Sequence, residues 1–158
     1  MGYCVFSQTP APGIDPALLV RTASRHFEAS LEILGAAPAT APDAGSTWVE
    51  LRLVSARRGF EQRFRLESRA ATAEDWAAAR RAEQNGRSAG MSALAERCRN
   101  VWEISAESAS SELALLNLCG ILAAAALGPV LPSDESALFG VRGAMERVDA
   151  IAGRSLHR

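Results

Sequence analysis

Apolar and polar positions divide the chain into short alternating stretches, longer stretches at helical spacing, and one run that is almost wholly apolar. Tyr3 to Gln8 reads as a strand, closed by the turn-forming Thr9-Pro10-Ala11-Pro12-Gly13. Asp15 before Pro16 is a helix start, an acceptor at the N-cap followed by a residue whose missing N–H costs nothing there. Leu19, Ala23, Phe27, Leu31 and Leu34 follow near a 3.6-residue period and predict one helix ending at Gly35. Residues 36 to 46 read as a Pro/Ala linker.

Two alternating stretches come next. Val49, Leu51 and Leu53 alternate with Glu50 and Arg52. Phe60, Phe64 and Leu66 then alternate with Glu61, Arg63, Arg65 and Glu67 across the connection Ala56-Arg57-Arg58-Gly59. This is a hairpin with one wet face. Thr72-Ala73-Glu74-Asp75 opens a helix carrying Trp76, Ala79 and Ala82, interrupted near Asn85-Gly86 and resuming through Met91, Leu94 and Cys98. Val101 to Ser105 predicts another strand. Leu113 to Leu127, with Asn117 as its only polar side chain, predicts a helix that Ser108 can cap. A final segment begins near Ser133-Asp134-Glu135 and runs, interrupted at Gly140 and Gly143, to Ala152.

The resulting order, β-α-β-β-α-β followed by two helices, predicts an α+β fold. Its core would be a small antiparallel sheet of ferredoxin-like order, helices on one face and the other face open. The 158 residues suit a single domain, with a sheet unit over 1–106 and a C-terminal helical extension over 107–153. The apolar run falls short of the about 20 residues that a membrane span needs. Glu112 and Gly128-Pro129 bound it, so protein must enclose it, whether from its own domain or from another copy. Gly120, Ala123 and Ala124 let a second helix approach closely, and Leu116 offers a knob. Asn117 would fix register between copies or be bonded within the core. These five positions are the expected interface of a homodimer.

Composition removes several function classes. Seventeen basic residues oppose eighteen acidic ones, giving a net charge of −1 and no global pull toward nucleic acid or anionic lipid. The chain contains 31 alanines, and every basic residue is arginine. That pattern matches a GC-rich, bacterial coding sequence, and it leaves no lysine for Schiff-base or P-loop chemistry. Cys4, Cys98 and Cys119 are too scattered for a zinc site or a disulfide framework, so no metal is expected. With no basic stretch or long apolar core at the N-terminus, a cytoplasmic location is expected.

No nucleophile elbow, Walker loop, dinucleotide fingerprint, HExxH or EF-hand pattern occurs. An enzyme is therefore disfavoured, and no cofactor is expected. His26 could meet Cys4 as a nucleophile–base pair, although such a histidine more often donates to a backbone carbonyl. His157 lies one residue from the C-terminus. The RNA-recognition fold shares the element order, and Arg58-Gly59-Phe60 begins like its strand signature. Gln62 and Arg65 stand where that signature needs stacking aromatics, so base stacking by this strand is not expected.

The hairpin is the richest candidate surface. Between Glu50 and Arg69 lie six arginines and three glutamates. Alternation puts Trp48, Glu50, Arg52, Arg63, Arg65 and Glu67 on the non-core side, where Trp48 could anchor a partner. The interleaving of charges equally describes a solvated face of cross-strand ion pairs. The expected function is a non-catalytic protein-binding or adaptor protein, acting through this face or the C-terminal helices. Its partner would be another protein or a second copy, not nucleic acid or a membrane. The alternative is a small-molecule or anion-binding protein, a plain binder or an enzyme, with a pocket between sheet and C-terminal helices lined by arginines and glutamates.

Overall fold

The computed structural model describes residues 2–9, 13–36, 48–86, 89–106 and 111–156. Along these run β1 (Tyr3–Ser7), α1 (Pro16–His26), β2 (Ser30–Ala36), β3 (Trp48–Ser55), β4 (Phe60–Ala70) and α2 (Ala73–Gly86). They are followed by α3 (Met91–Glu96), β5 (Asn100–Ala106), α4 (Glu112–Ala126), β6 (Val130–Pro132) and α5 (Val141–Leu156). The six strands form one antiparallel sheet in the order β2-β3-β4-β5-β1-β6. The fold is α+β, with five helices beside the sheet.

The strand order departs from the ferredoxin-like arrangement, in which a strand separates the first two. Here β1 lies between β5 and β6, and the hairpin β3–β4 sits at the far side of β5. The change lies within the expected four strands, because β5 separates β1 from the hairpin, and two further strands extend the sheet. β2 occupies the edge beside β3, and the short β6 takes the open side of β1.

β2 also corrects the reading of one helix through Gly35. Helix α1 stops at His26, closed by Phe27 N–H and Ala29 N–H donating to the Ala23 carbonyl. Glu28 turns the chain through the left-handed region at φ 51°. Leu31 and Ile33 then pair with Leu53 and Leu51 of β3. Phe27, Leu31 and Leu34 fit a helical stripe, whereas Leu31 and Ile33 alternate with Glu32 as in a strand, and pairing with β3 decides between them. A register shift after Ile33 leaves Leu34 40% exposed. The expected linker lies almost entirely outside the described residues.

Each sheet face has its own cover. On one, Val5, Leu51, Leu53, Phe64, Leu66 and Trp102 meet Leu19, Ala23 and Phe27 of α1 and the body of α4, in one core that also holds Ala144 and Val148 of α5. On the other, Phe6, Val101 and Leu131 pack with Ala79 and Ala82 of α2, Ala95 of α3 and Leu138. That second cover reaches only the β5-β1-β6 end. No helix among the described residues lies across the same face of β2, β3 and β4.

Helix α4 is the centre of the larger core. Ser111 caps it, accepting from Ala114 N–H at 3.4 Å, whereas Ser108 lies outside the described residues. It packs on β1, α1 and α5. The enclosing protein is thus its own chain. Leu116, Asn117, Gly120 and Ala123 are buried and Ala124 is half-buried, so these positions do not form the expected surface for a second copy. A Cβ on Gly120 would lie 2.5 Å from the Phe27 ring and 3.3 Å from Ala144 Cβ. The low profile there admits α5 and the end of α1. No helix among the described residues is long and apolar enough to cross a membrane.

Candidate functional site

All six expected side chains, Trp48, Glu50, Arg52, Arg63, Arg65 and Glu67, share the open face. The cross-strand pairs Trp48–Glu67, Glu50–Arg65 and Arg52–Arg63 place them side by side on β3 and β4. Phe60 and Phe64 point the other way into the core, which removes the aromatics a base-stacking strand would need.

The face is a ladder of ion pairs crossing four strands. Arg52 donates to Glu32 of β2 at 2.5 Å and to Glu61 of β4 at 3.3 Å. Arg65 donates to both Glu50 and Glu67 at 2.9 Å. Its guanidinium also lies 4.8 Å above the centre of the Trp48 ring. That ring rests against Gly35, where a Cβ would lie 3.3 Å from it. Trp48 is therefore half-buried and clamped from two sides.

Arg69 closes the ladder toward β5 and α2. It donates to Glu103 at 2.7 Å and to both oxygens of Asp75 at 2.6 and 2.8 Å. Asp75 in turn accepts from Thr72 N–H at 2.7 Å, and Thr72 Oγ1 accepts from Asp75 N–H at 3.3 Å. This is a reciprocal cap for α2. The Arg69 guanidinium, helped by the Thr72 bonds, holds the Asp75 carboxyl below its ordinary range. Arg63 makes no ion pair among the described residues and stands opposite Arg52.

Sequence reasoning missed half of the acids on this surface. Glu32 was hidden by the helical reading of β2, although its alternation with Leu31 and Ile33 was a signal. Glu103 alternates with Trp102 and Ile104 and could have been placed. The contact of Asp75 with Arg69 had no local signal beyond its place in the first helical turn. Together they turn an arginine-rich sequence segment into a face where carboxylates neutralise all but one of the arginines. Arg57 and Arg58 do not join it, because they lie in the β3–β4 turn.

The expected nucleophile–base pair of Cys4 and His26 is not brought together. Cys4 points to the α2 side of the sheet, where it packs with the smaller core, while His26 is exposed at the end of α1 in the helical layer. Burial pushes the Cys4 thiol up to about 12, with Asp75 adding to it. Burial alone takes Cys98 to about 11, and burial with a smaller contribution from Cys4 raises Cys119. Nucleophilic cysteines have the opposite shift. No group of three or more His, Cys, Asp or Glu that could hold a metal exists among the described residues, and His157 lies outside them. No known protein family, curated protein or solved structure matches the chain.

Proposed function

We propose that this chain is a non-catalytic protein-binding or adaptor protein whose partner sits on the open face of β2, β3 and β4. The observation that carries the reading is Trp48, held half-buried between Gly35 and Arg65 on a face no described helix crosses. A preorganised tryptophan among paired charges has the makeup of an interface anchor with a polar surround. Because Arg52, Arg65 and Arg69 already meet carboxylates, the surface favours a partner of mixed charge over a small anion. The partner is another protein or a second copy of the chain.

A photo-cross-linking residue in place of Arg63, in the cells that express the protein, tests this. One product of discrete added mass is expected, and Trp48→Ala should suppress it without unfolding the chain. An added mass of 16.8 kDa identifies a second copy. The control position is Arg142, 94% exposed on α5. Equal labelling from both positions, or labelling indifferent to Trp48→Ala, removes the proposal.

A further inference from the structure

The arginines that do not join the sheet face converge elsewhere. Ser55 is the buried residue that brings them there. Its hydroxyl donates to the Glu28 carbonyl at 3.4 Å and accepts from Arg58 N–H at 3.2 Å, tying the β3–β4 turn to the end of α1. Gly59, at φ 73°, completes that turn. Arg57 and Arg58 thereby stand beside Arg25 and His26. Between them and α5 lies a cavity of about 230 Å³, walled by Phe27, Met145 and Val148 and reaching Asn117 of α4.

Its charges are unbalanced. Three guanidinium groups and an imidazole face two carboxylates, Glu28 and Asp149. Both acids are already engaged, Glu28 by Arg57 and Asp149 by Arg58 at 3.2 Å. The Arg25 and His26 side chains have no ion-pair or hydrogen-bond partner among the described residues. The Arg58 side chain is only 22% exposed, and its Nε–H is sealed from solvent with no acceptor among the described residues. A buried, unsatisfied donor on a cation is costly, and the Arg58 side chain that carries it lines the cavity. Asn117 is 1% exposed and uses one amide hydrogen on the Leu113 carbonyl at 2.8 Å. The other amide hydrogen and Oδ1 remain as polar groups at the cavity's end.

We propose that this cavity binds a small organic oxyanion, with its carboxylate or phosphate oxygens on Arg58, Arg25 and Asn117. Guanidinium forks match such oxygens. Phe27, Met145 and Val148 form an apolar wall for a short hydrocarbon part. The volume lies below the roughly 300 Å³ at which ordinary small-molecule sites begin, so the ligand is of the size of a substituted benzoate or a phosphate monoester. This site lies on the helix-covered side of the sheet, so it and the protein-docking face can each fail without the other.

Titration of the full-length, ¹⁵N-labelled chain with benzoate, phenyl phosphate and inorganic phosphate at fixed ionic strength tests it. Saturable shifts are expected at Arg58 Nε–Hε, the Asn117 side-chain amide and the backbone of residues 25–28. The tighter of the two aromatic probes identifies the head group, and inorganic phosphate should bind more weakly than phenyl phosphate. Arg58→Gln should abolish saturation, and Arg25→Gln, on an exposed helix end that tolerates change, should weaken it about tenfold. No saturable shift below about 10 mM of any probe overturns the proposal. So does unsaturable drift shared with Arg142, or affinity unchanged in both variants.

Discussion

The open sheet face takes all its arginines, and the cavity at the β3–β4 turn two of its three, from the same twenty residues, yet the two end in different electrostatic states. On the face, Arg52, Arg65 and Arg69 each meet two carboxylates, supplied by four strands and the first turn of α2. At the turn, Arg57 and Arg58 have one carboxylate each, and Arg25 has none. Local sequence charge does not separate the two. The difference comes from which distant segment is folded alongside. β2 and β5 bring glutamates to the face, while the end of α1 brings two further basic side chains to the turn. The two regions differ in carboxylates per arginine, two for most arginines of the face and at most one in the cavity, although Arg52 and Arg58 each keep one buried Nε–H without an acceptor among the described residues.

The largest expected effect separates the two regions by damaging one. Gly120→Ala places a methyl group 2.5 Å from the Phe27 ring, which walls the cavity. Overpacking of this kind destabilises by about 2 kcal/mol. Chemical denaturation should show that loss, and oxyanion binding should weaken with it. Cross-linking from Arg63 should persist in the folded fraction. If cross-linking is lost as well, the two regions are not independent.

Asp75→Asn pushes the sheet face toward the condition of the cavity. It deprives Arg69 of its bidentate partner and α2 of its reciprocal cap, a loss of about 1–2 kcal/mol. Its pH dependence has a definite sign. The Asp75 carboxyl is lowered in the folded chain, so its contribution is complete above the ordinary carboxylate range. That contribution is lost as pH falls below about 4. Melting followed across this window should fall less steeply in Asp75→Asn than in the parent chain. Equal slopes would mean that other carboxylates dominate the acid limb.

These two variants also mark what could be read from sequence. The hairpin, both of its faces and the cap at Thr72–Asp75 follow from period-two alternation and capping chemistry, which are local. The body of Leu113 to Leu127 had to be buried, because an all-apolar helix leaves no side for water, and only Leu127, in the left-handed cap, departs from this at 62% exposed. What covers it was not legible, since Gly120 reads alike whether Phe27 or another molecule fills the gap. β2 was missed because 27, 31 and 34 continue the helical stripe, while the alternation of Leu31 and Ile33 with Glu32 is too short to outweigh it, and pairing with β3 decides. The cavity depends on Ser55 joining Glu28 to Arg58, across 27 residues on one side. No spacing rule anticipates that bond.

Asn117→Leu sharpens the cavity's side of the comparison. Replacing a buried amide with an apolar side chain is neutral to stabilising when no partner is stranded, and the cavity leaves room for the larger group. Stability should change by no more than about 1 kcal/mol, in the favourable direction, while oxyanion binding is lost. Retained binding would show that Asn117 serves only the helix and that the arginines suffice.

The smallest effects test whether the face is balanced as its geometry implies. Arg65 lies between Glu50 and Glu67, so Arg65→Glu sets three carboxylates together and should lower the melting temperature. Arg63 stands directly opposite Arg52, an unfavourable like-charge pair. Arg63→Glu converts that contact into an attractive one, so it should leave the melting temperature unchanged or slightly raise it. Because all of these groups are solvent-exposed, both shifts should shrink as salt is added. Melting curves of the two variants at low and high salt decide the matter. Equal destabilisation by both would mean that Arg63 has a stabilising contact on the face, and that the balance drawn between its arginines and carboxylates is wrong.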